Sequence, residues 1–305
     1  MSGCNVASSS TSVLTSRAKP PPAGGLKSAA SLLLSTWMGR TGVALLLFLL
    51  FLAGAGPWIA PYDAAAQTGM PFSVPSAAHW LGTNDIGQDI LSELIVGTRV
   101  SLSIGFTAAA LAIVIGTLVG VIAGFLGGRT DTTLMRLVDI VLVLPFIPLM
   151  IVLAAFFGAS SGNLIIAISL LIWARPARVI RSSALGIRNL TYVEGAQALG
   201  ASNLHILWKH VLPGVLPIAV SQFILAASSS ILIEASLAFL GLGDPVRKSW
   251  GTVLYYAQIR GAFLNGSWPW WVVPPGVLIS MAVLGFALTG RAIETALFPR
   301  LQQRS

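Results

Sequence analysis

Charge is what this sequence has least of. Only 9% of its 305 residues are Asp, Glu, Lys or Arg, against about 25% in an ordinary soluble domain. A water-soluble fold of this composition would lack the polar surface to cover itself. Cysteine is almost absent: the single Cys4 excludes an internal disulfide and leaves the compartment open. The three histidines, His79, His205 and His210, fall in no ligand spacing such as H-E-x-x-H, so no metal site is expected. No G-x-x-x-x-G-K-[ST] stretch occurs, so the chain has no loop to cradle nucleotide phosphates. No nucleophile elbow or zinc motif occurs either. No catalytic residue and no cofactor are therefore expected.

What is present in quantity is apolar: 55% of residues are hydrophobic and mean hydropathy is +0.83. A lipid bilayer solvates such side chains, and the 31 glycines agree with that setting. The net charge of +8 raises the alternatives of nucleic acid and membrane surface. Nucleic-acid binding wants basic residues clustered on one face of a soluble domain. Here they lie between apolar runs, which points to topology and to no nucleic-acid partner.

Residues 1–33, rich in Ser, Ala, Pro and Gly, read as a flexible cytoplasmic tail. Residues 34–98 read as a first membrane helix, with its apolar run over 43–55, followed by an extracytoplasmic segment. Ala53-Gly-Ala55 resembles a signal-peptidase site, but the preceding tail is far longer than the basic region of a signal peptide. Residues 99–305 carry five further apolar runs, at about 100–127, 134–158, 163–180, 213–237 and 270–290. Each is near the ~20 residues that cross a bilayer. The run over 163–180, the fourth when the first helix is counted, is short and is expected to extend or break near Arg175-Pro176. Runs of this length, with no water to satisfy backbone groups, must be helical. With the N-terminus inside, fourteen of the 18 Lys and Arg residues fall on the inner side. The positive-inside bias predicts six helices with both termini cytoplasmic. Trp58, Trp250, Trp268, Trp270 and Trp271 are expected near the outer interface, and Trp37 near the inner one.

The loop before the fifth run, about 191–213, carries the densest local signals. Thr191 and Glu194 have the T-x-x-E spacing of a capping box. Gly200 suits the left-handed position that ends a helix. Ser202 or Asn203 suits the cap of a second short helix, and Pro213 the first turn of the next one. The expectation is helix, Gly turn, helix, presenting Ala196, Leu199, Leu204 and Leu207 outside the membrane. Capping signals alone leave open a loop that merely rests on the interface.

Glu194-Gly195-Ala196, Gly200 and Leu212-Pro213 resemble the EAA loop of ABC importer permeases, whose signature is E-A-A, three residues, Gly, nine residues, Ile, one residue, Leu-Pro. The spacing matches throughout; Gly195 replaces the middle Ala and His210 the Ile. The stretch from His79 to Leu102 resembles the second permease subunit of dipeptide, oligopeptide and nickel importers, which carry L-G-T-D-x-x-G-R-D-x-L-S-R-L-I-x-G-A-R-x-S-L. Asn84, Gln88 and Glu93 depart from that pattern. Glu234-Ala-Ser-Leu-Ala-Phe-Leu-Gly-Leu-Gly243, Ser249-Trp-Gly251 and Pro299-Arg300 are further matches, with departures at Thr289 and Arg291.

The resemblance implies an all-α, type I ABC importer permease in a bacterial cytoplasmic membrane. Its implied partners are a second homologous permease, two cytoplasmic ATPase subunits and an extracytoplasmic solute-binding protein. Glu194, Gly195, Ala196, Gly200, Leu212 and Pro213 would couple the ATPases to the pore. Peptides are the expected cargo, with nickel, glutathione and oligosaccharides carried by close relatives. The rival readings are a secondary transporter energised through Asp139 and Glu234, and a membrane enzyme, for which no constellation exists. Asp139 and Glu234 are otherwise expected as structural groups near the interfaces or against a neighbouring subunit, and Asp85 and Asp89 as turn formers rather than cation ligands.

Overall fold

The computed structural model describes residues 36–297. The expected tail, Cys4 and Pro299-Arg300 lie outside them. Within them the chain is helical, with two isolated bridges and no strand. The elements are α1 (Trp37–Ile59), α2 (Ile90–Leu126), α3 (Gly128–Val143), α4 (Phe146–Phe157), α5 (Ser161–Ile172), α6 (Ala174–Arg188), α7 (Thr191–Ala198), α8 (Asn203–Ile206), α9 (Leu212–Leu237), α10 (Trp250–Ile259), α11 (Trp268–Trp271) and α12 (Val273–Leu297). Wider π-helical turns at Leu207–Val211 and Ala238–Leu242 flank α9.

Four helical stretches are long and apolar enough to cross a membrane: α1, α2, Asn203–Leu242 and Trp268–Thr295. Two bent pairs, α3 with α4 and α5 with α6, bring the count to six if each is one span. The run over 134–158, expected as one helix, is broken by 90°. Pro145 has no N–H to donate and excludes helical geometry from Leu144, which sits at φ −63°, ψ 139°. The fourth run breaks by 45° at Trp173, just before Arg175-Pro176.

Helix α2, 37 residues long, is the spine of the bundle. Asp89 caps it by accepting from the Ser92 amide at 2.9 Å. It begins ten residues before the expected apolar run because its first turns pack inside protein, with Ile90, Leu94 and Thr98 buried. Gly116, Gly120 and Gly124 recur every fourth residue and lie against α6. A Cβ at these positions would come within 2.9 Å of Trp173 O, 2.6 Å of Ala177 O and 2.7 Å of Arg181 O. Small residues at this spacing let two helix backbones touch, which matters in lipid, where burial of apolar surface does not drive helices together. The same device joins α1 to α12, where Gly42 meets Thr289.

Trp250 and Trp271 are fully buried. Their rings pack inside the core, whereas Trp58 is 85% exposed. The Trp250 indole donates to Thr98 Oγ1 at 3.2 Å and its amide to Ser101 Oγ at 3.0 Å, which pins α10 onto α2.

Candidate functional site

The segment from Thr191 to Pro213 forms a helical hairpin at one end of the bundle. Helix α7 starts without the expected capping box. Leu190, not Thr191, occupies the cap position, and no side-chain cap bond forms. The Val193 and Glu194 amides take the Leu190 carbonyl instead, at 2.8 and 3.1 Å. The Glu194 side chain is exposed.

The turn that ends α7 is as expected. Gly200 has φ +83°. Its amide donates to Gln197 O at 3.0 Å and the Ala201 amide to Ala196 O at 3.1 Å. These crossed bonds form a Schellman motif. Ser202 then caps α8, accepting from the His205 amide at 3.3 Å. Pro213 sits in the first turn of α9, directly after the π turn. Leu212 is half-buried and Pro213 exposed.

Val193, Ile206 and Val211 are fully buried in the same core as Ile180 and Ala184 of α6. The hairpin is therefore keyed to the bundle and not a loose loop. Its outer surface carries Leu199, 90% exposed, with Tyr192, Leu204 and Trp208 also exposed. Ala196 and Leu207, expected to point outward, are half-buried against the core. Tyr192 and Trp208 were not expected; their apolar rings are the signal that could have singled them out. Ser202, Leu204, His205, Trp208 and Lys209 line an open cleft of about 530 Å³. The His210 ring lies beside Tyr192 at 5.7 Å and His205 at 6.3 Å, measured between centroids. Gly195 is exposed, with nothing within 4 Å of an added Cβ.

On the flank of this end, α3 and α6 are joined by two ion pairs. Arg181 forks onto Asp131, with the Nη2–Oδ2 bond at 2.6 Å, and Arg178 pairs with Asp139. Asp139 is thus partnered within its own chain, by Arg178.

The opposite end holds the 60–89 segment folded over the start of α2. His79 Nδ1 lies 2.9 Å from Asp89 Oδ1, and Arg260 Nε lies 2.9 Å from Asp85 Oδ2. Asn84 donates to Glu93 Oε1 at 2.8 Å and to Gln88 Oε1 at 3.0 Å. Lys248, from the far side of the sequence, bonds both Gln88 and Glu93. The three departures Asn84, Gln88 and Glu93 are therefore one contiguous cluster, and Lys248 supplies the cation that a buried glutamate requires. Asp244 ties α5 to this end. Its burial opposes ionisation, but bonds from Ser161 and from the Val246 and Arg247 amides hold its carboxyl below the usual range. Glu234 is buried within the chain, and its Oε2 has no hydrogen-bond partner. Among the described residues no group of His, Cys, Asp and Glu is arranged to hold a metal ion.

Comparison with known proteins agrees with this architecture. The family described as binding-protein-dependent transport system inner membrane component matches residues 116–303. The dipeptide transport system permease protein of Bacillus subtilis is 32% identical, covering 87% of this chain and 83% of its own length. A probable D,D-dipeptide transport system permease protein of Escherichia coli is 36% identical, over 85% and 87%. The glutathione transport system permease protein of Pectobacterium atrosepticum is 35% identical, over 86% and 88%. A multi-pass bundle with the spacing of an EAA loop, matched over most of its length, is an inner-membrane protein, and the chain belongs to the binding-protein-dependent transport system inner membrane component family.

Proposed function

We propose that this chain is the second-type permease subunit of an ATP-driven importer of di- and oligopeptides, and that the α7–α8 hairpin is where partner ATPases grip it. The observation that carries this reading is the hairpin itself. The spacing from Glu194 through Gly200 to Leu212-Pro213 is realised as two short helices crossed by a Schellman turn. Buried Val193 and Ile206 on one side and exposed Leu199, Leu204 and Trp208 on the other make it a rigid lever with an apolar tip.

On this reading both termini and the hairpin are cytoplasmic, and the 60–89 segment faces the solute-binding protein. The partners are a second permease of the same family, two ATPase subunits and that binding protein. Closure of the ATPases on ATP pushes the hairpin. Because its buried residues share the core with α6 and α9, the push moves those helices as a body. Relatives named for dipeptides, D,D-dipeptides and the tripeptide glutathione at similar identity support a peptide cargo. A stand-alone secondary transporter would instead need an acid poised for proton coupling. Asp139 is held by Arg178, and Glu234 is enclosed within the chain.

The test is reconstitution of the five-subunit complex in liposomes with a radiolabelled dipeptide. Uptake is expected only with internal ATP and loaded binding protein. Uptake that persists without ATP and collapses with an uncoupler would refute the reading.

A further inference from the structure

The turn between α10 and α11 presents an apolar surface that the chain itself leaves uncovered. Ile259, Phe263 and Leu264 are 51%, 62% and 94% exposed. Hydrogen bonds fix the backbone that carries them. The Gly261 amide donates to Gln258 O at 3.1 Å and the Ala262 amide to Ala257 O at 2.9 Å, a second Schellman closure. The Leu264 and Asn265 amides both donate to Gly261 O, at 2.8 and 3.0 Å, and the Trp268 amide to Ala262 O at 3.1 Å. Asn265 Oδ1 accepts from the Ser267 amide and hydroxyl at 3.0 and 2.6 Å. Ala262 and Ser267 are buried beneath. A turn ordered in this way has little freedom left to lose when a partner covers it.

Lipid does not reach this turn. Helix α2 has no charged residue after Arg99, so the hydrocarbon core lies within residues 100–126, and Ile90–Arg99 stand outside it. Because α2 is one unbroken helix, those ten residues rise ~15 Å, and still ~11 Å at a tilt of about 40°. The headgroup layer is only ~5–8 Å deep. Helix α10 starts low on this stretch, where Trp250 bonds Thr98 and Ser101. It ends high, where Arg260 Nε lies 2.9 Å from Asp85 Oδ2. Asp85 is fixed there by its neighbour Asn84, which bonds Glu93 in the first turn of α2. Helix α10 therefore climbs away from the bilayer, and the turn caps its upper end. Large apolar side chains held in water at such a place mark a protein contact.

We propose that this turn is an anchor for the solute-binding protein, with Phe263 and Leu264 entering an apolar pocket on that partner. This rests on the importer reading above and adds to it the residues that hold the binding protein. The family is described as binding-protein-dependent, so the outer end of the bundle has to receive such a partner. The rim of the patch is polar, with Gln258, Arg260 and Asn265 exposed around the apolar centre. That make-up suits an interface that forms and releases. A permanent contact with the second permease calls for a larger and more continuous apolar face.

The test uses the complete transporter reconstituted in liposomes, with loaded binding protein titrated on its outer side. ATP hydrolysis gives a maximal rate and a half-maximal concentration of binding protein. Phe263→Ser together with Leu264→Ser is expected to raise that concentration about thirtyfold, the loss of one hot spot, and to leave the maximal rate unchanged. Both side chains are exposed, so the melting temperature of the complex should not move. A photo-crosslinker at Leu264 is expected to give an adduct with the binding protein. An unchanged half-maximal concentration would overturn the proposal, as would a lower maximal rate at an unchanged half-maximal concentration. An adduct with lipid or with the second permease in place of the binding protein would also overturn it. Wild-type complex that takes up no peptide with ATP would overturn the importer reading itself. Normal wild-type uptake with no effect of the two substitutions overturns only the anchor.

Discussion

Replacing Gly200 isolates the turn of the hairpin from everything around it. No atom lies within 4 Å of a Cβ built there, so an added side chain meets no clash. The penalty comes from the backbone alone, because φ is +83°. An L-residue in the left-handed region costs roughly 1–2 kcal/mol. If the backbone escapes that strain, the turn opens and the bonds from Gly200 to Gln197 and from Ala201 to Ala196 are lost, at about 1 kcal/mol each. Either route costs ~1–2 kcal/mol, or roughly five- to thirty-fold in the ratio of correctly aimed to misdirected hairpin. Gly200→Ala should therefore reduce coupled transport by up to that factor. Gly200→Val should reduce it further, since β-branched residues are genuine outliers at positive φ. Gly200→Asn should retain most of it, because Asn tolerates this region. The assay is ATP hydrolysis and dipeptide uptake measured together in proteoliposomes, with membrane insertion checked by immunoblot. The expected pattern is normal insertion, normal ligand binding by the binding protein, and ATPase activity that no longer responds to it. Normal stimulated transport by Gly200→Val would refute the reasoning.

Other substitutions separate the remaining parts. Gly195→Ala adds a side chain in open space within α7 and should stabilise the hairpin by up to about 1 kcal/mol, leaving uptake equal or higher; a loss of uptake would mean that a partner needs the gap. Glu194→Gln breaks no cap, so thermal stability should change by less than about 0.5 kcal/mol; lost ATPase stimulation would then report a direct docking contact. Lys248→Met strands a Glu93 side chain that is 3% exposed and should cost about 3–5 kcal/mol, whereas Lys248→Met with Glu93→Met should recover most of the melting temperature. Gly120→Leu drives a Cβ to 2.6 Å from Ala177 O, and the protein should fail to accumulate. In a Cys4→Ser background, Val246→Cys, 87% exposed, should be labelled from outside intact cells and Leu199→Cys should not.

The four unbroken spans and the hairpin were legible because their signals are local. Apolar run length sets a span, and Gly200, Ser202 and Pro213 each act within a turn of their own position. The capping box failed for a local reason too. T-x-x-E spacing is necessary but not sufficient, and the chain entered α7 one residue early, at Leu190. The break at Pro145 was readable from proline chemistry but was hidden by the apolar run it interrupts. What the sequence could not reveal was pairing over long separations. Arg178 with Asp139, and Lys248 with Glu93, are joined by tertiary packing alone. The burial of Trp250 and Trp271 has the same origin, since an indole suits a core as well as an interface. The Gly116, Gly120 and Gly124 series was visible as a spacing, and its meaning became specific only with α6 lying against it.

The most direct test of the hairpin as the ATPase grip is a photo-crosslinker at Leu199, the most exposed large hydrophobic side chain of its surface. In the assembled transporter in native membranes, irradiation should give one adduct between this chain and an ATPase subunit, with a yield that changes when ATP is trapped. Adducts to lipid alone, or to the solute-binding protein, would contradict it.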